Sequence, residues 1–218
     1  LKPKNYHMQR ALFDQLPFHR DDPRIRFVNH HVAHALSAYY PSGFPESMVI
    51  SLDGTGGGEA GMIAFGQGDR LEALHRIPNS SSWGHLYTLV TQKLGFSPHS
   101  AEGKTMGLAA FGTPDPYFFD SCIDWDLEIP LIQRERRRAC LASIPFRRTG
   151  EPLSQRHKDL AASLQHVLER AAIRMVEAAH RRTGSRNLCL GGGVALNCSM
   201  NGKLRRLPCV DRIFVQPA

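Results

Sequence analysis

The sequence predicts an α/β fold, and three observations carry this prediction. Residues 48–76 contain three apolar runs separated by Gly-rich turns, the pattern of an antiparallel meander. Residues 158–183 carry apolar side chains at helical spacing, which predicts a long amphipathic helix. Residues 187–215 then have the order strand, glycine loop, helix, strand, and this order is an α/β unit.

The elements of the first half follow from apolar spacing and from breakers. The first thirty residues contain three prolines and predict one short helix and a loop, with a short strand at 24–29. Residues 31–40 predict a helix that ends before Pro41, because a residue before proline disfavours helical backbone. The meander follows, and residues 83–94 predict another helix.

The second half predicts two further helices and two strands. Residues 158–183 form the long helix, closed by Gly184. A buried strand at 187–190, a helix at 194–206 and a strand at 212–215 follow.

The chain is expected to divide into two lobes. Residues 113–157 are rich in Pro and Arg with few periodic segments, so they predict an excursion or linker. Residues 1–112 would then form a first lobe, and residues 158–218 would begin a second.

Composition and charge exclude several classes of protein. A hydrophobic content of 42% and a charged content of 22% exclude disordered, collagen-like and coiled-coil proteins. Apolar runs fall far short of the roughly 20 residues that cross a bilayer, so no membrane partner is expected. The net charge is +7, but residues 134–148 hold six arginines and one glutamate, which is +5 of it. A solvated arginine-rich face without interleaved aromatics predicts no nucleic-acid partner.

Cysteine usage and the N-terminal residues predict a cytoplasmic protein. Five cysteines without a C-x-x-C pair support neither a disulfide framework nor a structural zinc motif, so reduced thiols are expected. The first residues have no apolar run typical of a signal peptide. They begin without Met in a polar run, which suggests a fragment.

A pair of histidines is the first candidate site. His30 and His34 are four residues apart, so on a helix both imidazoles can face one metal ion. Asp53, at the end of a predicted strand, is the candidate third ligand. The alternative is that the histidines only cap and pack the start of the helix.

Two glycine-rich loops are the second and third candidates. In Asp-Gly-Thr-Gly-Gly-Gly, residues 53–58, backbone amides can approach phosphate oxygens and Thr55 adds a hydroxyl; the alternative is an ordinary hairpin. In Gly-Gly-Gly-Val-Ala-Leu-Asn, residues 191–197, a strand opens into a helix whose N-terminus attracts anions, and Asn197 lies one turn into that helix. The alternative there is a tight connection. Together the loops suggest a nucleotide held between two lobes, as in actin-like and sugar-kinase-like ATPases.

Five blocks in order make the resemblance specific. They are His-His-Val-Ala-His-Ala at 30–35, Ser-Leu-Asp-Gly-Thr-Gly at 51–56, Ser-Trp-Gly at 82–84, Glu-Gly-Lys-Thr-Met-Gly-Leu-Ala at 102–109 and Gly-Gly-Gly-Val-Ala-Leu-Asn at 191–197. The chain thereby resembles the ATP-dependent O-carbamoyltransferases that modify nodulation factors and antibiotics. Their large actin-like domain is also similar to the ATPase that makes threonylcarbamoyl-adenosine on tRNA.

The resemblance implies a two-site enzyme. A YrdC-like domain cleaves carbamoyl phosphate to carbamate. The actin-like domain joins carbamate to ATP, releases pyrophosphate and transfers the carbamoyl group from carbamoyl-adenylate to a hydroxyl of a natural product or glycan.

The resemblance also implies roles for residues. His30, His34 and Asp53 match the metal ligands, with iron expected, manganese or zinc as alternatives, and magnesium possible with ATP. The residues matched to the nucleotide are Asp53, Gly54, Thr55, Gly193 and Asn197. Glu102 would face the ribose and Lys104 an anion. No catalytic base is assigned.

Parts of the family pattern are not matched here. The family's first strand and its nucleotide-facing loop, a further metal-binding Asp expected after residue 218 and the YrdC-like domain have no counterpart. We therefore expect the chain to be inactive alone and to need that domain of the same polypeptide as a partner.

Three other readings stay open from the sequence. An actin-like sugar kinase would have the phosphate loops but no reason for the histidine pair. A non-catalytic nucleotide-binding module and nucleic-acid binding by the arginine cluster are the other two.

Overall fold

The computed structural model describes residues 25–148 and 150–217. Seven strands form a five-stranded sheet and a small two-stranded one. The strands are β1 Glu46–Gly56, β2 Glu59–Gln67, β3 Arg70–Pro78, β4 Ile123–Asp124, β5 Leu131–Ile132, β6 Asn187–Gly191 and β7 Arg212–Val215.

The main sheet is mixed, in the order β3-β2-β1-β6-β7. The predicted meander is confirmed, because β1, β2 and β3 pair antiparallel. β6 pairs parallel with β1, and β7 pairs parallel with β6. The carboxyl ends of β1 and β6 therefore lie at the same edge of the sheet, where α/β proteins commonly bind ligands.

Helices cover both faces of this sheet. They are α1 His30–Ser42, α2 Trp83–Lys93, α3 Glu102–Ala109, α4 Arg134–Ala142, α5 Gln155–Thr183 and α6 Cys198–Leu204, with 3₁₀ turns at Asn79–Ser81, Asp120–Cys122 and Gly193–Leu196. Among the described residues, none of the helices combines the length and the apolar character that a membrane span requires.

Alternation along β1 divides the core between the two faces. Val49 packs with Ala35 and Tyr39 of α1 in a small cluster. Met48 and Ile50 point the other way, into the main core that α2 and α5 complete. Successive side chains of a strand face opposite sides, so both faces of β1 are apolar.

The sheet order differs from the expected division into two lobes. β6, which comes after the 113–157 segment, pairs with β1 in the register Met48↔Leu188 to Ser51↔Gly191. Residues 158–217 therefore continue the sheet that residues 46–78 begin. The pairing of β1 with β6 is hard to predict from sequence because the two strands are far apart in the chain. Parallel strands need a long crossover connection, and α5 is part of it here.

The segment 113–157 contains more regular structure than its composition predicts. It holds the β4–β5 pair and the helix α4, which carries four of the six clustered arginines. Leu141 and Ile144 are buried in the main core, and this packing stabilises a helix whose other side chains are mostly exposed.

Three predicted boundaries also change. Residues 25–29 belong to no strand, while Arg24 and the predicted N-terminal helix lie outside the described residues. α1 runs past Pro41 and ends at Gly43, which adopts the left-handed conformation. The single helix predicted at 194–206 is a 3₁₀ turn followed by α6.

Candidate active site

His30, His34 and Asp53 meet at the carboxyl end of β1. The Nε2 atoms of His30 and His34 lie 3.0 Å and 3.2 Å from the same Asp53 oxygen, Oδ2. The two Nε2 atoms are 3.1 Å apart. The structure thus brings together the three residues that the sequence suggested as metal ligands.

Local sequence explains why the two imidazoles share this point. Asn29 caps α1, its side chain accepting from the backbone N–H groups of His31 and Val32. The helix therefore begins at His30, and His34 lies one turn later on the same face. Gly56 leaves room for the His30 ring, since a Cβ there would lie 2.0 Å from its Cδ2 atom.

The middle histidine of the motif has a different place. His31 is fully buried, and its Nδ1 lies 2.9 Å from the Ser51 hydroxyl on β1. Burial lowers the pKa of His31, which favours a neutral ring. His31 therefore fixes α1 against the sheet and is not part of the cluster.

The donor set fits a divalent metal ion. Ligand atoms held about 2.1 Å from one ion lie roughly 3.0 to 3.4 Å apart, and the three distances observed here are close to that range. A carboxylate oxygen only accepts, so without an ion the two Nε2 atoms and this oxygen can make at most two of their three contacts as hydrogen bonds. Two histidines and one carboxylate are a set used by iron, manganese and zinc.

The surroundings of Asp53 favour its charged form. Burial alone would raise the pKa of Asp53, but the His30 hydrogen bond and the Gly54 N–H, 2.7 Å from Oδ1, hold the pKa below its ordinary value. One carboxylate oxygen therefore faces the histidines while the other is held by the loop.

The Ser-Trp-Gly block joins α2 to this loop. The Ser82 hydroxyl accepts from the His85 N–H, which caps α2, and donates to the Gly54 carbonyl at 2.6 Å. A Cβ on Gly84 would lie 2.7 Å from the Asp53 carbonyl oxygen. The block therefore allows α2 to pack directly on the backbone that carries Asp53.

The second glycine loop passes along the same carboxylate. Gly192 has a φ of +85°, and a Cβ there would lie 2.4 Å from the Leu52 carbonyl oxygen. A Cβ on Gly193 would lie 3.1 Å from Asp53 Oδ1. The Gly192 contact requires glycine, and both contacts place the end of β6 directly beside the metal-ligand candidates.

A cleft of about 460 Å³ connects the two loops. Five residues predicted to bind the nucleotide line it: Asp53, Gly54, Glu102, Gly193 and Asn197. Two predicted contacts are not among the lining residues. Thr55 is exposed near the end of β1, and Lys104 is exposed on α3. Consecutive residues of a strand or helix point in different directions, so one motif cannot place all its side chains in one cleft.

Glu102 is held as a carboxylate at the edge of the cleft. Its Oε1 accepts from the Thr88 hydroxyl at 2.7 Å and from the His99 N–H at 2.8 Å. Burial opposes ionisation, but these hydrogen bonds leave the pKa of Glu102 below its ordinary value. His99 has a φ of 63°, an unusual backbone conformation for a residue other than glycine.

Asn197 also lines the cleft, and it caps α6. Its Oδ1 accepts from the Met200 N–H at 2.9 Å, which explains why the predicted continuous helix is interrupted here. Its amide also pairs with Gln165 of α5, and Gln165 in turn contacts Tyr87 and Glu169.

The sequence reasoning missed Tyr87, Gln165 and Glu169. A signal was present, since Gln165 and Glu169 are polar residues four apart within the otherwise apolar face of α5. Both are buried, and a buried polar pair of this kind needs partners.

Comparison with known proteins identifies relatives of this chain. The chain is 41% identical over 204 residues to nodulation protein NolNO of Sinorhizobium fredii, covering 91% of this chain and 30% of that protein. It is 27% identical over 180 residues to a tRNA N6-adenosine threonylcarbamoyltransferase of Verminephrobacter eiseniae, covering 81% and 50%. The chain thus spans about a third of its more similar relative and half of the other.

A solved structure shares the fold. The chain aligns with HypF of T. kodakarensis with a TM-score of 0.54 and 15% identity, over 96% of this chain and 36% of that one. At this identity the likeness concerns the fold alone.

The family profile described as Carbamoyltransferase N-terminus matches residues 6–218. This match includes both glycine loops and all three members of the histidine–aspartate cluster. The chain belongs to the carbamoyltransferase N-terminal family.

Proposed function

We propose that this chain is the metal- and nucleotide-binding part of an ATP-dependent O-carbamoyltransferase. The full reaction would move a carbamoyl group from carbamoyl phosphate, through carbamoyl-adenylate, to a hydroxyl of a natural product or glycan. One observation carries the proposal: Asp53 belongs both to the three-residue cluster and to the cleft that Gly193 and Asn197 line. A metal ion and a nucleotide would therefore meet at one carboxylate.

Different residues at the cleft would bind the metal ion, the phosphates and the ribose. A bound divalent ion, for which we propose iron with manganese or zinc as alternatives, would be held by His30, His34 and Asp53 and would supply positive charge near the phosphates. The exposed backbone of Gly193 can approach a phosphate without a side chain in between. The Glu102 carboxylate can accept from ribose hydroxyls, and Asn197 can donate from its amide.

These groups would accelerate adenylation by positioning. The attacking carbamate oxygen and the α-phosphorus must be held in line, and the developing charge must meet fixed donors in a partly dry cleft. Magnesium would accompany ATP. Among the described residues, none has the geometry that would identify it as the base for the acceptor hydroxyl.

The sheet supports an actin-like fold for this part of the enzyme. Three antiparallel strands followed by two parallel ones, with ligand groups at the carboxyl ends of β1 and β6, fit a lobe of an actin-like ATPase. We further propose that a YrdC-like domain of the same polypeptide supplies carbamate from carbamoyl phosphate.

The test is product analysis with the purified native polypeptide. Incubation with MgATP and carbamoyl phosphate should release pyrophosphate and yield carbamoyl-adenylate, both measured by mass spectrometry. Omitting carbamoyl phosphate should abolish both products. ADP and a phosphorylated sugar without adenylate would overturn the proposal in favour of an actin-like kinase.

A variant pair ties the products to this cleft. Asp53→Asn keeps the shape of the side chain but removes its charge, and it should abolish adenylate formation. His75→Ala changes a half-buried histidine on β3 that does not line the cleft, and it should leave the products unchanged. Equal activity of Asp53→Asn and wild type would contradict the assignment.

A further inference from the structure

The side-chain amide of Asn197 has little freedom left in this structure. Its Oδ1 accepts from the Met200 N–H and from Gln165 Nε2, both at 2.9 Å. Its Nδ2 donates one proton to Gln165 Oε1 at 2.8 Å. An amide oxygen has two lone pairs and an amide nitrogen two protons. The other N–H of Asn197 lies near the Tyr87 hydroxyl, which also lines the cleft, and from there it can donate to a ligand.

Gln165 is itself fully paired. Its Nε2 donates to Glu169 Oε1 at 2.8 Å as well as to Asn197. Its Oε1 accepts from the Tyr87 hydroxyl at 3.0 Å as well as from Asn197. An ionised carboxylate accepts hydrogen bonds but cannot donate them, so Glu169 forces the nitrogen of Gln165 to its own side.

Glu169 is also held by an ion pair on the side away from Gln165. Its exposed fraction is only 4%, and its second oxygen pairs with the ammonium of Lys203 on α6. Its two oxygens therefore accept from different sides, one from Lys203 and the other from Gln165. Burial and the nearby charge of Glu169 raise the pKa of Tyr87, which keeps its hydroxyl protonated as a donor. The series of hydrogen bonds from Lys203 through Glu169 and Gln165 to Asn197 therefore has a fixed assignment of donors and acceptors.

We propose that Gln165 and Glu169 are positioning residues, which hold the Asn197 amide so that it presents a single N–H donor to an acceptor atom of the nucleotide. The partner would be a ribose oxygen, a phosphate oxygen or a ring nitrogen, all of which accept. A ligand group that needs an acceptor at this point is disfavoured, since both lone pairs of Oδ1 are in use. This inference rests on the proposed function, because it assumes that the cleft binds a nucleotide.

The first experiment measures MgATP affinity by isothermal titration calorimetry with the native polypeptide. Gln165→Leu keeps the approximate volume and removes all four hydrogen bonds, so affinity should fall about tenfold, the equivalent of one oriented hydrogen bond. Ser163→Ala is the matched control. Ser163 is also buried on α5 and has two hydrogen bonds, but these bonds join it to Asp115 and Asp159 and not to Asn197. It should lose stability without losing affinity.

A milder variant keeps the test informative if Gln165→Leu fails to fold. Glu169→Gln preserves shape but can present either end of its amide, so the orientation of Gln165 is no longer forced. We expect affinity to fall about threefold with the fold intact by circular dichroism. Affinity equal to wild type in this variant and in a folded Gln165→Leu would overturn the proposal.

A double-mutant cycle separates positioning from general destabilisation. If Gln165 acts through Asn197, Gln165→Leu should add no further loss in an Asn197→Ala background. Additive losses would show that Gln165 acts elsewhere and would overturn the proposal. Wild-type protein that binds no MgATP would instead overturn the proposed function, while a wild type that binds and variants that bind equally would overturn only this inference.

Discussion

Two polar clusters beside the cleft satisfy their polar groups in opposite ways. In the first, called the metal end, His30, His34 and Asp53 direct three atoms at a common point, with exposed side-chain fractions of 40%, 26% and 26%. In the second, called the amide end, Gln165 and Glu169 are only 6% and 4% exposed and are hydrogen-bonded to each other and to Asn197.

This difference separates a site that needs a ligand from one that is already organised. Converging donor atoms at a half-exposed edge gain free energy when a cation binds between them. A buried, fully paired amide network gains nothing from a new partner inside it and instead fixes the group at its surface. The metal end should therefore respond to ligand removal, and the amide end to loss of any internal partner.

The largest expected effect on stability concerns Gly192 in the second glycine loop. Gly192→Ala forces a Cβ into the Leu52 carbonyl at a positive φ, and we expect the free energy of unfolding to fall by about 3 kcal/mol or more. Gly68→Ala, at a φ of +58° with open space around it, is the control and should cost about 1 kcal/mol. Urea unfolding measures both, and equal losses would contradict the close approach.

The next effect breaks the metal end alone. His30→Ala or His34→Ala removes one of three ligands, so we expect the affinity for iron, manganese or zinc to fall by more than about 100-fold. Elemental analysis after dialysis should show metal in the wild type and in His75→Ala but not in the two variants. Unchanged metal content in either variant would remove the ligand assignment.

A third change breaks the amide end alone. Lys203→Met leaves the Glu169 carboxylate buried without its cation, and stability should fall by about 1–3 kcal/mol while metal content is unchanged. Adding Glu169→Gln removes the uncompensated charge and should restore part of the loss in urea unfolding at pH 7. A double variant less stable than Lys203→Met would contradict the ion pair as described.

The smallest effect concerns the pH dependence contributed by Glu102. Because the folded-state pKa of Glu102 lies below its ordinary value of 4.5, its stabilising contribution is present above that pH and is lost as pH falls through the folded pKa. Wild type should therefore exceed Glu102→Gln in stability at pH 6 by a small margin that shrinks towards pH 3. A margin that grows on acidification would reverse the sign and contradict the hydrogen bonds from Thr88 and His99.

Local patterns were enough to predict much of the fold and the metal end. The meander, α2 and the long helix α5 follow from apolar spacing and glycine breakers, since these signals act over a few residues. His30 and His34 share a face through helical spacing alone. Asp53 was expected at a strand end, where side chains of the sheet edge can meet a helix start.

The remaining features depended on packing between distant segments. The break at Asn197 depends on its capping of α6, and the helix α4 depends on burial of Leu141 and Ile144. Thr55 and Lys104 were expected at the nucleotide because they belong to the same motifs as Asp53 and Glu102, but neither residue lines the cleft. A motif specifies residue types and their spacing, but it does not specify which of its side chains reach the ligand.

The amino-acid sequence by itself determined the family, the candidate ligands and the periodic elements, because each is encoded within a short window or an ordered set of blocks. Only the tertiary structure decided that β6 lies beside β1, and therefore that Gly193 and Asn197 share one cleft with Asp53. It also decided which residues outside α5 pair with Gln165, namely Tyr87 of α2 and Asn197 at the start of α6. Such contacts join residues far apart in the chain, where the balance of loop closure and burial sets the pairing and local propensity carries no information.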